Sequence, residues 1–314
     1  MIRFAFEVFR LLRPRQWIKN FALFAAILFA GELFDQLIFE KVFVAFFVFC
    51  GLSSATYIVN DLFDIKKDRM HPFKRFRPLA GNKISVSAAI LTAAILIFIS
   101  LFVSTTITPA FFIICLVYLS IQFLYSLFLK SLAVVDILAI ATGYILRVYA
   151  GEFASGFHIS VWLLLTTISI SLFLAIGKRR SELTLLSANK KNLIQETRES
   201  LSRYSERLLD VYASIFATST FITYSLFTFL ENPRGIKISL GVLMPEFLPT
   251  FFQRKWLMIT ILPVVYGLMR YLQDIYEKNE GESPERVLLS DRPLLITVVL
   301  WVIMVILIIY FIGP

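Results

Sequence analysis

Charge is scarce in this chain. Asp, Glu, Lys and Arg make up 17% of its 314 residues, well under the roughly 25% of an average soluble domain, which excludes an ordinary water-soluble enzyme. Histidine is scarcer still. His71 and His158 are the only two, and the topology inferred below puts them on opposite sides of a membrane, so neither a His-based metal site nor a Ser-His-Asp triad can be assembled. The two cysteines, Cys50 and Cys115, lie in apolar runs without CxxC or Cys/His spacing, so they read as packed thiols rather than a disulfide framework or a zinc site. A P-loop and a Gly-rich dinucleotide turn are also absent.

What fills the chain instead is hydrocarbon. Apolar side chains make up 58% of it, 32 of them Phe, and the mean hydropathy is +0.77. Apolar segments fall near 20–34, 38–59, 84–107, 109–129, 132–151, 160–177, 209–230, 255–273 and 293–312, each near the ~20 residues that cross a bilayer as a helix. The expectation is an all-α polytopic membrane protein of nine transmembrane helices, a single integral-membrane domain over 1–314. Arg3, Arg10, Arg13 and Arg15 precede the first run, which lacks a small-residue cleavage pattern and so reads as a retained helix. If the N-terminus is cytoplasmic, twenty-five of the 31 Lys and Arg face the cytoplasm, five face the other side and Arg147 lies within a span. That asymmetry orients the chain with its C-terminus on the far side. The net charge of +9 fits contact with anionic membrane lipids and does not call for nucleic acid. Two cytoplasmic segments are long and highly charged, 60–83 and 178–208. On the opposite side, 231–254 holds a short apolar stretch broken by prolines, expected to lie along the interface.

The most informative stretch is Asn60-Asp61-Leu62-Phe63-Asp64-Ile65-Lys66-Lys67-Asp68-Arg69-Met70-His71-Pro72-Phe73-Lys74-Arg75-Phe76-Arg77-Pro78, where the second apolar segment meets the cytoplasm. If the helix continues through Asp68, the i, i+3, i+7 spacing places Asp61, Asp64 and Asp68 within roughly a 60° arc of one face. Folding does not ask for three like charges there. A hard divalent cation relieves their repulsion, and Mg²⁺ takes one or two carboxylates while filling its other positions with water and phosphate oxygens, so a phosphate-bearing substrate is implied. Lys74, Arg75 and Arg77 follow as cations for the rest of a polyanion. The other reading of this stretch is a solvated juxtamembrane loop; Asn60 and Asp61 at the edge of the hydrocarbon fit a cavity better.

Other constellations keep two readings each. Lys178, Arg179 and Glu182, after the sixth segment, form either a second phosphate subsite or a basic helix end that offsets the macrodipole and obeys the positive-inside rule. Asp136 and Arg147, eleven residues apart on the fifth segment, fall about 20° from one common face; they line a cavity or pair with each other. Tyr125 and Lys130 serve the site or anchor the interface. Lys19 and Asn20 enter the membrane together behind Trp17, which is costly unless they line a cavity.

The pattern Asn60-Asp61-x-x-Asp64-x-x-x-Asp68 on the second of nine helices, with a partner segment after the sixth, resembles the UbiA-type intramembrane prenyltransferases over the whole chain. Several features look like that family's polyprenyl-phosphate phosphoribosyltransferase branch. These are the continuation Asp68-Arg69-x-His71-Pro72-x-Lys74-Arg75-x-Arg77-Pro78, the run Arg13-Pro14-Arg15-Gln16-Trp17-Ile18-Lys19-Asn20, Tyr144-x-x-Arg147 and Gly177-Lys178-Arg179, with Asp291-Arg292 as a smaller point. The resemblance implies a UbiA-type helical bundle in the bacterial plasma membrane, with a cytoplasm-facing active-site cavity. It also implies transfer of the 5-phosphoribosyl group from phosphoribosyl diphosphate to a polyprenyl phosphate of decaprenyl type, in cell-envelope glycolipid precursor synthesis. Mg²⁺ on Asp61, Asp64 and Asp68 would hold the diphosphate, and a homo-oligomer stays open.

Members that prenylate aromatic acceptors carry a second Asp-rich motif after the sixth helix. Here Lys178-Arg179-Arg180-Ser181-Glu182 stands in its place, suited to a lipid monophosphate held directly by cations. Two alternatives are weighed against this reading. One is an aromatic prenyltransferase using polyprenyl diphosphate. The other is a lipid or ion transporter, which would keep its polar residues near the midplane on broken helices.

Overall fold

The computed structural model describes residues 2–70, 74–189, 199–231, 256–277 and 284–312. His71, the interfacial segment expected at 231–254 (apart from Glu231) and the stretch 190–198 of the second charged segment lie outside them.

An amphipathic helix α1 (Ile2–Leu12) leads into a 3-10 run (Pro14–Phe24) and a short helix α2 (Ala25–Ala30). Then come α3 (Gln36–Met70), α4 (Val86–Ser104), α5 (Pro109–Leu127), α6 (Val135–Ser155), α7 (Val161–Asn189), α8 (Glu206–Leu230), α9 (Ile261–Glu277), α10 (Pro284–Ser290) and α11 (Arg292–Leu307). All the regular structure among the described residues is helical. Eight helices there are long and apolar enough to cross a membrane. They are α3 to α8, α9 with the 3-10 turn before it, and α11 with its π-helical continuation.

The first expected span is built differently. Pro14 fixes the start of the 3-10 run, and Gly31, at φ 82°, ends α2 in the left-handed conformation open to glycine. At ~2.0 Å per residue in 3-10 form and ~1.5 Å in α, the two pieces extend about 31 Å, close to the ~30 Å hydrocarbon thickness. They lie against α6 at Gly151, where an added Cβ would come within 1.9 Å of the Leu23 carbonyl oxygen. A side chain at Gly151 would push this segment off its seat.

Helix starts follow local chemistry. Ser85, Thr108, Ser205 and Asp291 each accept a hydrogen bond from a first-turn amide, and Pro109 and Pro293 stand where a missing N–H costs nothing. The outward faces are apolar: Leu91, Phe98 and Phe102 of α4 and Ile296 of α11 are all exposed, as side chains facing lipid must be. Inside, Leu23, Phe49, Leu52, Phe111, Tyr118 and Leu146 form one buried cluster.

Helix length positions the charged site. At 1.5 Å per residue the 35 residues of α3 reach about 52 Å and the 29 of α7 about 44 Å, so both project beyond a ~30 Å hydrocarbon core. Residues 60–70 and 178–189, expected as parts of charged loops, are therefore the projecting turns of these helices. Unbroken hydrogen-bonded turns hold their side chains at a fixed pitch.

Candidate active site

The three α3 carboxylates do not point to one ligand. Asp61 is buried and pairs with Arg13 and with Arg77 Nη1 at 3.0 Å; the same Nη1 reaches Asp68 Oδ2 at 2.7 Å. Arg77 thus bridges two carboxylates seven residues apart on one helix face. Asp64 has a different partner, accepting from Lys130 Nζ at 2.7 Å, which also lies 3.4 Å from Asn60 Oδ1. Arg13 has a positive φ of 54°, and its guanidinium stacks over the Tyr57 ring. Burial, the largest single influence, lowers its pKa, but the charge and hydrogen bond of Asp61 together with Tyr57 and Asp68 make the net direction upward.

A second cluster ties α7 to α6. Arg179 is fully buried; its Nε meets Asp136 Oδ2 at 2.6 Å, Nη1 donates to Glu182 Oε2 at 2.5 Å and Nη2 to the Tyr125 hydroxyl at 3.0 Å. Asp136 also accepts from the Tyr204 hydroxyl at 2.7 Å and Ser200 Oγ at 3.1 Å. Burial, and then the hydrogen bond to Asp136, push the Tyr204 phenol up from its ordinary pKa. The Tyr204 hydroxyl in turn accepts from the amide of Val134, a β-branched residue held at φ 67°.

Asp136 and Arg147 do not pair, although they share α6. Arg147 donates to Asn20 Oδ1 at 2.7 Å, the Gly143 carbonyl at 2.5 Å and the Tyr118 hydroxyl at 3.0 Å. Asn20, also fully buried, completes its amide with Cys50 Sγ and Ser53 Oγ. Both cysteines are buried free thiols. Lys19 lies over the Tyr144 ring and pairs with Glu285 of α10 at 2.9 Å, while Gln16 donates to Glu285 and accepts from Lys19 and from the Tyr57 hydroxyl.

Between these clusters, at the charged end of the bundle, lies a cavity of about 790 Å³. Of the residues expected at a site, Asn60, Asp64, Asp68, Lys74, Arg77, Tyr125, Lys130, Lys178 and Glu182 line it. Asp61, Lys19, Asn20, Asp136, Arg147 and Arg179 sit behind that surface in the hydrogen-bonded clusters just described. Arg75 turns outward, its guanidinium 4.8 Å from the Phe76 ring centroid. Eight Lys and Arg side chains line the cavity against four carboxylates, so the chamber attracts anions.

Arg13, Gln16, Tyr57, Gln122 and Glu285 also line the cavity and were not among the expected site residues. Arg13 and Gln16 lie in the conspicuous polar run before the first segment, a signal that was available. Glu285 looks in sequence like a first-turn acid after Pro284, and only the tertiary fold brings it to Lys19.

Among the described residues no three Asp, Glu, His or Cys side chains converge as a metal cage. Asp64 and Asp68 face the cavity as separate hard oxygen donors. That arrangement fits a cation such as Mg²⁺, which takes one or two carboxylates and completes its shell from water and substrate phosphate. Asp61 can reach such an ion only when its contacts with Arg13 and Arg77 open.

Comparison with known proteins agrees with this architecture. The model of the UbiA prenyltransferase family matches residues 20–182, the stretch from Asn20 to Glu182 that contains both charged helix ends. The chain is 35% identical over 294 residues to a decaprenyl-phosphate phosphoribosyltransferase of Mycolicibacterium smegmatis, covering 92% of this chain and 88% of the relative. With the enzyme of the same name from Corynebacterium glutamicum it is 33% identical, over 95% and 85% of the two chains. Among solved structures, a UbiA homolog from Archaeoglobus fulgidus bound to DMAPP and Mg²⁺ superposes with a TM-score of 0.68 at 19% identity, covering 96% of this chain and 98% of that one. An all-helical bundle with lipid-facing flanks, its charge gathered at one end around a cavity, and relatives matching nearly end to end identify an integral membrane protein of the UbiA prenyltransferase family.

Proposed function

We propose that this enzyme transfers the 5-phosphoribosyl group of phosphoribosyl diphosphate to a polyprenyl phosphate of decaprenyl type, releasing diphosphate. The observation that carries the reading is the cavity itself, whose eight cations outnumber its four carboxylates. The helix α3 and the segment after it contribute Asp64, Asp68, Lys74 and Arg77 to its lining, while α5 and α7 contribute Tyr125 and Lys178. Two phosphate-bearing substrates can meet between them. The names of the relatives over most of the chain support the same reaction.

In this account Lys74 and Arg77 hold the donor's phosphates, with Arg75 at the rim, and Lys178 with Lys130 orients the lipid phosphate. Arg179, Glu182 and Asp136 fix the pitch of α7 so that Lys178 faces inward. Arg147 and Asn20 lock α6 to the 3-10 run, and Glu285 holds Gln16 at the cavity surface and Lys19 behind it. Mg²⁺, when bound through Asp64 and Asp68, with Asp61 as a further candidate ligand, supplies positive charge that stabilises departing diphosphate. An oxygen of the lipid phosphate, already anionic at neutral pH, forms the new bond to C1 of the ribose as the bond to diphosphate breaks. No general base is required, and positioning with electrostatic stabilisation carries the rate.

The whole chain acts as one integral-membrane unit in the bacterial plasma membrane, with its N-terminus and cavity cytoplasmic, where the excess of Lys and Arg also meets anionic headgroups. Its product is a cell-envelope glycolipid precursor. The test is turnover by purified protein in detergent with Mg²⁺ and ribose-labelled phosphoribosyl diphosphate. Label should enter the organic phase with decaprenyl phosphate, and a chelator should abolish the transfer. Activity only with polyprenyl diphosphate and an aromatic acceptor would overturn the proposal.

A further inference from the structure

We propose that Glu285, oriented by Gln16 and Lys19, is the subsite that takes the 2- and 3-hydroxyls of the donor's ribose. This rests on the phosphoribosyl-transfer reading, because it takes the donor to be a sugar phosphate. Such a donor carries two chemistries: phosphates that call for cations and a metal, and a neutral diol that calls for hydrogen-bond acceptors.

The first need is met on α3 and α7. Three of the four cavity carboxylates stand among cations there: Asp64 with Lys130, Asp68 with Arg77 and Glu182 with Arg179. Glu285 stands elsewhere, buried in the first turn of α10. Gln16 donates to its Oε1 and in turn accepts from the Tyr57 hydroxyl at 3.2 Å. All three side chains line the cavity. Lys19 lies behind them, pairing with Glu285 Oε2 at 2.9 Å and donating to Gln16 Oε1 at 2.7 Å. Its charge cancels that of Glu285, while Arg13, stacked over Tyr57, is neutralised by Asp61. The patch shown to the cavity is therefore polar without net charge, which suits hydroxyls better than phosphate.

Local structure fixes this patch. Residues three apart eclipse one another in a 3-10 helix, so Gln16 and Lys19 present their polar ends on one side of the run, and both ends of the Gln16 amide are held. A carboxylate presents about four lone-pair sites, so it accepts a sugar hydroxyl beside an amide and an ammonium. The position also matches the donor. Tyr57 precedes Asp61 by one turn and Asp64 by two on the same face of α3, and the carbon bearing the 2-hydroxyl adjoins C1, which bears the diphosphate. Gln16, Lys19 and Glu285 fall on either side of residues 20–182, the stretch shared with the family. That stretch holds the phosphate- and metal-facing groups; a sugar donor adds the need to read a diol.

The test uses the full chain in detergent with Mg²⁺ and two carbocyclic donor analogues, in which a methylene replaces the ring oxygen and the C1 bond does not break. One keeps both ribose hydroxyls, and the other is its 2,3-dideoxy counterpart. Wild-type protein should bind the hydroxylated analogue about a hundredfold more tightly, the scale of hydrogen bonds to a charged group. Glu285→Gln should cut that ratio to about tenfold by weakening the hydroxylated analogue alone. Lys19→Met combined with Glu285→Met removes the pair together and leaves no unpaired buried charge; it should bring the ratio below about threefold. Inorganic diphosphate should bind both variants as it binds wild type. Equal losses for both analogues and diphosphate would show a merely structural role and overturn the proposal, as would full discrimination surviving in either variant. Equal binding of the two analogues by wild-type protein would remove the subsite alone. If diphosphate binds and neither analogue does, the phosphoribosyl-transfer reading falls and the subsite falls with it.

Discussion

Lys178 and Arg179 are neighbours in sequence and opposites in surroundings. Lys178 faces the 790 Å³ cavity, while Arg179 is wholly enclosed and spends its guanidinium on Asp136, Glu182 and Tyr125. The same division runs through the molecule. Asp64, Asp68, Arg77 and Lys130 hold one another at the cavity surface, where an incoming phosphate or cation can exchange for a partner. Arg147 and Asn20 are sealed among amide, carbonyl and phenol groups that no substrate can displace. Charge in a membrane protein thus does two jobs, and access to the cavity separates them better than residue type does.

The comparison breaks most visibly at Arg179. Arg179→Ala leaves Asp136 and Glu182 buried without their cation, a loss of about 3–5 kcal/mol, so thermal unfolding in detergent should shift down by many degrees. Unaltered unfolding would remove Arg179 from the sealed class. Next comes Asp64→Asn, which keeps the shape but removes a charge from the cavity wall. Turnover should fall at least about a hundredfold, on the scale of the several kcal/mol that a bound divalent cation contributes, with the unfolding temperature nearly unchanged. Wild-type turnover in that variant would sink the metal assignment.

Lys178→Ala should be milder and selective. Losing one charge-assisted contact, worth about 1.5–3 kcal/mol, should raise the KM for polyprenyl phosphate tenfold or more and spare the melting curve. A rise confined to the soluble substrate would show that the two phosphate subsites are interchanged. The smallest effect is expected at Val134, whose φ of 67° is strained for a β-branched side chain. Val134→Gly should gain about 1 kcal/mol after the entropy that glycine loses on folding, read as a small rise in unfolding temperature with kinetics unchanged.

The sequence made local features legible and hid those that depend on distant partners. The apolar segments and the Asp61, Asp64, Asp68 spacing follow from helical period alone. The same period left Asp136 and Arg147 either lining a cavity or pairing with each other, and the pairing does not form, because a shared helix face says nothing about which neighbouring helix arrives there. Asp136 is claimed by Arg179 from α7 and Arg147 by Asn20 from the 3-10 run. The charged segments 60–83 and 178–208 read as loops because their charge ends the hydrophobic signal, whereas α3 and α7 run on into water with backbone hydrogen bonds intact through Met70 and Asn189. Glu285 was invisible for a related reason: its value to the site is its contact with Lys19, more than 260 residues earlier in the chain.

The most direct test of the central claim follows two labels at once. Wild-type protein with Mg²⁺ and decaprenyl phosphate would receive phosphoribosyl diphosphate labelled on the ribose carbon and, separately, on the β-phosphorus. If the lipid phosphate is the nucleophile and diphosphate the leaving group, ribose label moves to the organic phase and β-phosphorus label stays in water as diphosphate. Both labels entering the lipid, or neither doing so with folded protein, would contradict the account.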